Sequence, residues 1–263
     1  MSGNVAAEHI GGEEHITSRE VAEPVMDGHG GHNHHGLLHH HFDDLDQQRE
    51  VNTIGMWSFL VTEVMMFGGL FFVYTLYRWS FGPAYAAGSH HMNWQLGAAN
   101  TAVLLVSSLT MAMAVHSAAV REKKKLIAYL LVTFVLGTTF LVVKYFEWAH
   151  DYHIGLVPFF NWHYYLTNPG EVAQLTQSGV NPENVRLFFV VYFCMTGLHA
   201  IHMIIGLIML GIFINMARKN AFTEGNDQPI EIGGLYWHLV DIIWVFLFPL
   251  LYLIGGIKPM GGH

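Results

Sequence analysis

The chain has 263 residues, 52% hydrophobic and 12% charged, against about 25% charged in ordinary soluble domains. That balance excludes a soluble helical protein, whose helices would be broken by charges every turn or two. The net charge of −8 comes with no basic stripe, which excludes a nucleic-acid partner. The single cysteine, Cys194, excludes disulfide frameworks, Cys-x-x-Cys redox pairs, iron–sulfur clusters and a paired-thiolate copper site.

Residues 1–50 are Gly-rich, carry ten of the twenty acidic residues, and hold His9, His15, His29, His32, His34, His35, His39, His40 and His41. With few large apolar side chains the segment cannot offset its ordering entropy, so a mobile tail is expected ahead of a membrane domain at 51–263. Imidazoles at this density suit copper, zinc or nickel, but their spacing is irregular and a solvated tail is the more economical reading. No basic segment followed by an apolar stretch opens the chain, so no cleaved signal peptide is expected.

Five apolar runs follow, at 54–77, 97–120, 126–147, 187–216 and 235–257. Each is close to or beyond the roughly 20 residues that carry an α-helix across about 30 Å of hydrocarbon. The fold class is therefore an all-α integral membrane bundle of five transmembrane helices. Arg19, Arg49, Arg121, Lys123, Lys124, Lys125, Arg218 and Lys219 fall on one side of such a bundle, and Arg78, Arg186 and Lys258 on the other. Cationic residues concentrate on the cytoplasmic side, which predicts a cytoplasmic N-terminus and an external C-terminus. The connection at 151–185 reads as a long loop with Asn-Pro and Pro-Gly turn signals. Its His153, Trp162, His163, Tyr164 and Tyr165 suit an aromatic belt at headgroup level.

Polar groups inside the runs carry the chemistry. Glu63 is the only ionisable side chain of the first run, and a charge at membrane depth costs at least about 2.5 kcal/mol. At a rise of about 1.5 Å per residue, Glu63 and His202 both lie roughly 13 Å deep and Asp241 about 9 Å. His199 shares a helix face with His202, and His238 with Asp241. Three readings fit this layer: a metal or haem centre, a proton relay, or a structural polar cluster that binds lipid headgroups or water. Paired Glu-x-x-His motifs of a di-iron bundle are missing. A relay needs polar groups across most of the bilayer, and the outer half looks almost empty. The residues alone favour the structural cluster. Lys144 and Glu147 are expected to pair or snorkel. Asn100, Thr101, Ser107 and Ser108 suit interhelical hydrogen bonds, and Gly68, Gly69, Gly197, Gly206 and Gly211 close helix packing.

Taken together, GMWSFLVTEVMMFGGLFFVY, NTAVLLVSSLTMAMA, FCMTGLHAIHMIIG and LYWHLVDIIWVFLFPLLYLIGG resemble successive signatures of subunit III of haem–copper terminal oxidases, over residues 52–257. Gly197-x-His199-x-x-His202 followed by Gly206, with Trp237-His238-x-x-Asp241-x-x-Trp244, is the specific part, and five spans match the shorter bacterial form. The resemblance implies a non-catalytic subunit III of a proton-pumping cytochrome c oxidase in the bacterial cytoplasmic membrane. Such a subunit has no catalytic residue, haem, copper or other metal of its own. It packs on subunit I beside subunit II, which hold the haem and copper, and supports oxygen delivery and proton uptake. It also implies a cleft holding structural phospholipid, with Glu63 as the carbodiimide-reactive carboxyl and His199, His202 and Arg218 as lipid contacts. Met216 stands where the family has its lipid-binding arginine, and Arg218 follows two residues later. His238, Asp241, Lys144 and Glu147 remain a structural polar cluster. The alternatives are subunit III of a quinol oxidase, a relative tied to nitric oxide reduction or, from another class, an independent proton-coupled transporter. The last would show broken helices or internal repeats.

Overall fold

A backbone in hydrocarbon must satisfy its N–H and C=O groups internally, so the apolar runs have no choice but to be helical. The structure, a computed structural model, describes residues 45–219, 222 and 227–253. Five helices are long and apolar enough to span a bilayer: α1 (Leu45–Ser80), α3 (Trp94–Ala119), α4 (Lys123–Ile154), α7 (Pro182–Arg218) and α8 (Gln228–Tyr252). Each continues past its apolar run at one end or both. The 37 residues of α7 extend about 55 Å, well beyond the hydrocarbon. Residues 45–50, assigned above to the tail, are instead the opening turns of α1. The rest of that tail, with its histidines, lies outside the described residues, as do 254–257 of the fifth run.

Helix ends are set locally. Asn93 caps α3 by accepting from the backbone N–H groups of Gln95 and Leu96 at 3.1 and 3.3 Å, and Asn181 caps α7 through Glu183 N–H at 2.9 Å. Gly155, at φ 85°, closes α4 in the left-handed conformation that favours glycine.

The connection expected as a loop at 151–185 is largely ordered structure. After α4 come a two-stranded hairpin, β1 (Leu156–Val157) against β2 (Asn161–Trp162), and the short helices α5 (Tyr164–Thr167) and α6 (Pro169–Gln177). With α2 (Gly82–His90) they cover one end of the bundle. Glu171 ties the cover together, accepting from the Tyr164 hydroxyl at 2.7 Å and lying 3.3 Å from His91 Nε2. Burial, and then the bond to Glu171, push the Tyr164 phenol up to about 12, so it stays a donor at neutral pH.

Packing divides the spans unequally. Helices α3, α4, α7 and α8 form the core, and α1 lies against α7 and α8 from outside. Its most apolar stretch is 17% buried, against 50% for α8. Trp237 and Trp244, both fully buried, fill the middle of the core. A Cβ on Gly137 would come within 2.7 Å of the Trp237 ring and one on Gly206 within 2.9 Å. The indole therefore occupies notches in α4 and α7 that only glycine leaves open. Its N–H donates to Ser107 at 3.0 Å, and that of Trp244 to Thr101 at 3.1 Å. Such bonds join spans where hydrophobicity cannot, since lipid tails are as apolar as side chains.

Candidate functional site

Helix α1 places Glu63 on the side facing α7, and α7 brings His202 to it. Glu63 Oε2 lies 2.9 Å from His202 Nε2, while His202 Nδ1 is 2.8 Å from the carbonyl of Leu198, one turn earlier. A carbonyl only accepts, so Nδ1 carries a hydrogen. The contact at Nε2 then holds one proton, either on the imidazole beside a carboxylate or on the carboxyl beside a neutral ring. The edge of Phe67 packs on the imidazole at 5.3 Å between centroids, and Tyr236 donates to the His202 carbonyl at 3.0 Å. Side chains of His202 and Glu63 retain 11% and 14% exposure, so the pair lies at the lipid-facing edge of the α1–α7 contact.

The other polar groups expected in this layer do not join it. His199 is 1% exposed, held between the rings of Phe140 and Trp244, with neither ring nitrogen hydrogen-bonded. It points into the core, so the geometry withdraws it from any lipid-facing role. Arg218 ends α7, about 24 Å from His202 along the helix; it is exposed, and its carbonyl accepts from Lys123 Nζ at 2.9 Å. His238 Nδ1 turns toward Ser108 Oγ on α3 at 2.7 Å. Asp241 is 2% exposed, with the Ser108 hydroxyl as its polar neighbour.

Lys144 and Glu147 do pair, but in the interior rather than at the interface. Their side chains are 4% and 8% exposed, and Lys144 Nζ donates to Glu147 Oε2 at 2.9 Å. Two phenols complete the nest. Lys144 Nζ also lies 3.1 Å from Tyr192 Oη and 2.7 Å from Tyr252 Oη, and both hydroxyls donate to Glu147 Oε1, at 3.3 and 2.6 Å. The rings of Tyr192, Trp244 and Tyr252 face the ammonium at 5.2–5.4 Å, near enough for cation–π attraction. Asp151, one turn beyond Glu147, is 3% exposed. The half of the bundle expected to be almost empty of polar groups therefore holds a buried ionic nest. Neither tyrosine nor Asp151 stood out in the sequence. A signal existed in the spacing of Tyr192, Thr196, His199 and His202, which puts four polar side chains on one stripe of α7, all of them buried.

Among the described residues, no three His, Cys, Asp or Glu side chains gather as a metal centre requires. What the geometry offers is a proton-sharing pair at the lipid edge and a buried ion pair in the core.

Known proteins resemble this chain along most of its length. The family model of cytochrome c oxidase subunit III matches residues 39–166 and 184–256. The cytochrome bo(3) ubiquinol oxidase subunit 3 of Pseudomonas putida is 27% identical over 210 residues, 78% of this chain and 87% of that protein. A probable quinol oxidase subunit 3 of Staphylococcus aureus (strain USA300) is 26% identical over 215 residues, 81% of this chain and 94% of that protein. The match to the family model covers every span, and the chain belongs to the haem–copper oxidase subunit III family.

Proposed function

We propose that this chain is the non-catalytic subunit III of an oxygen-reducing, proton-translocating cytochrome c oxidase. In this reading it docks on the haem- and copper-bearing subunits I and II of the bacterial cytoplasmic membrane, with its N-terminus in the cytoplasm. The carrying observation is the Glu63–His202 contact at 2.9 Å. It closes a seam between the loosely packed α1 and the core at membrane depth, where a protein–lipid boundary needs a satisfied polar pair. Phospholipid would occupy this seam, its chains against Glu63, His202 and the exposed Ile201, Ile204, Ile208 and Ile212 of α7. Its phosphate would sit near Arg218 at the helix end, where a guanidinium suits it.

The test is the purified complex carrying Glu63→Ala with His202→Ala. The initial oxygen-reduction rate should be close to that of the parent, since neither residue touches a redox centre. The number of turnovers before inactivation, and the phospholipid retained, should fall. Isolation of this chain as an active, cofactor-bearing protein on its own would end the reading.

A second reading concerns the electron donor. The names of the Pseudomonas and Staphylococcus relatives favour a quinol oxidase, whereas a glutamate at position 63, where similar quinol oxidase subunits often carry an aspartate, tilts the choice toward cytochrome c. Oxidation of reduced cytochrome c against that of a quinol by the intact complex separates the two.

A further inference from the structure

A cavity of about 650 Å³ lies between the end of α2 and the facing ends of α3 and α4, bordered by His90, Asn93, Leu96, Glu147, His150 and Asp151. An apolar groove of about 290 Å³ continues from it along α4 past Val143, Val142, Thr138, Val135 and Phe134, and Val143 lines both. From Asp151 to Phe134 the helix rises about 25 Å, so a polar chamber at one end of the bundle runs into a greasy track toward the middle of the membrane.

None of the residues that border the chamber is a lysine or an arginine. An ammonium has three N–H groups, and those of Lys144 are taken by Glu147, Tyr192 and Tyr252. Asp151 Oδ2, buried and bordering the chamber, has no partner. The chamber wall and the nest behind it thus hold two carboxyl groups against one ammonium. An unpaired buried carboxylate is costly, and a cation entering the chamber from outside would answer it. A primary ammonium on a short arm fits. Beside it, the exposed His90 and His150 can donate to a phosphate, and the groove accepts a hydrocarbon chain. These three chemistries in this order belong to one class of molecule. We propose that the chamber binds an aminophospholipid, with its ammonium on Asp151, its phosphate at His90 and His150, and one acyl chain along α4. A quinol also has a long apolar tail, but its neutral hydroxyls would leave the second carboxyl without a counter-charge.

The experiment uses the intact oxidase complex exchanged into nanodiscs of equal phosphatidylethanolamine and phosphatidylglycerol, then stripped in mild detergent and weighed by native mass spectrometry. Phosphatidylethanolamine should be retained over phosphatidylglycerol by about tenfold, the discrimination that one charge-assisted hydrogen bond supplies. Asp151→Glu should keep the preference and Asp151→Asn should abolish it. Val143→Trp, which fills the groove without touching a charge, should lower retention of the same lipid. Glu63→Ala with His202→Ala should leave it in place, which separates this chamber from the α1–α7 seam. Equal retention of the two lipids by the parent complex would overturn the proposal. So would a preference that survives both Asp151→Asn and Val143→Trp, or recovery of a quinone in place of phospholipid.

Discussion

At the scale of single residues, the decisive feature is how each buried charge is answered. Lys144 and Glu147 are answered by each other and by two phenols, at distances of 2.6–3.3 Å. Breaking such a pair from one side leaves a stranded charge and costs about 3–5 kcal/mol. Lys144→Met should therefore lower the thermal stability of the solubilised chain sharply, and adding Glu147→Gln should recover most of the loss. Scanning calorimetry of the two variants side by side checks this, and equal destabilisation by both would contradict the pairing. The Glu63–His202 contact behaves differently, because it shares one proton and keeps contact with lipid. Glu63→Gln preserves size and a hydrogen bond to Nε2, so the complex should assemble normally. A carbonyl band in the infrared that shifts on ¹³C-labelling of glutamate, present in the parent and lost in Glu63→Gln, would report the proton on the carboxyl. The sequence placed Glu63, His202 and Asp241 in one layer by depth, with no sign of which of them meet. It equally marked His199, whose ring the fold turns inward onto Trp244, because depth along a helix says nothing of direction around it.

At the scale of helices, contact between spans depends on what side chains leave room for. Trp237 sits in the notches at Gly137 and Gly206, where a Cβ would lie 2.7 and 2.9 Å from the ring. Gly206→Val should thus destabilise the bundle by about 1–3 kcal/mol, the usual cost of overpacking. Gly68→Ala should be close to neutral for the chain's own fold, since nothing lies within 4 Å of that position. Thermal melts followed by circular dichroism test both, and comparable losses would refute the notch. Gly68 and Gly206 stood out in the sequence as small residues suited to close packing, and Gly137 did not. Which of them face a partner helix and which face lipid was not visible, because all sit in runs of uniform hydropathy. The 151–185 connection was misread for a related reason. Its short helices and hairpin are held by contacts to α4, α7 and His91 that no local periodicity encodes.

At the scale of the whole molecule, α1 stands apart from a core of α3, α4, α7 and α8, and presents Ile54, Trp57, Met65, Phe72 and Trp79 outward. An apolar face of this size suits lipid or a neighbouring subunit, and membership of the family implies that the neighbour is another oxidase subunit. Gently solubilised complex should carry this chain together with that subunit. Orientation is testable with single cysteines on a Cys194→Ser background. Glu122→Cys in the α3–α4 turn should react with an impermeant thiol reagent only in inverted vesicles, and Gly170→Cys in α6 only in right-side-out ones. The opposite pattern would reverse the proposed topology.

Hydropathy and length alone determined that the chain is a five-span helical membrane protein, because the bilayer leaves a backbone almost no other option. The order of its motifs was enough to suggest the family, since Trp237, His238, Asp241 and the His199–His202 pair stand at the spacings of the signatures they resemble. Only the tertiary structure decided which polar groups meet. Glu63 finds His202 across two helices, and Lys144 and Glu147 collect Tyr192 and Tyr252 from two more, while Asp151 is left facing a cavity. Helix rotation and tilt set those meetings, and in lipid both are governed by the packing of neighbouring spans rather than by any single segment.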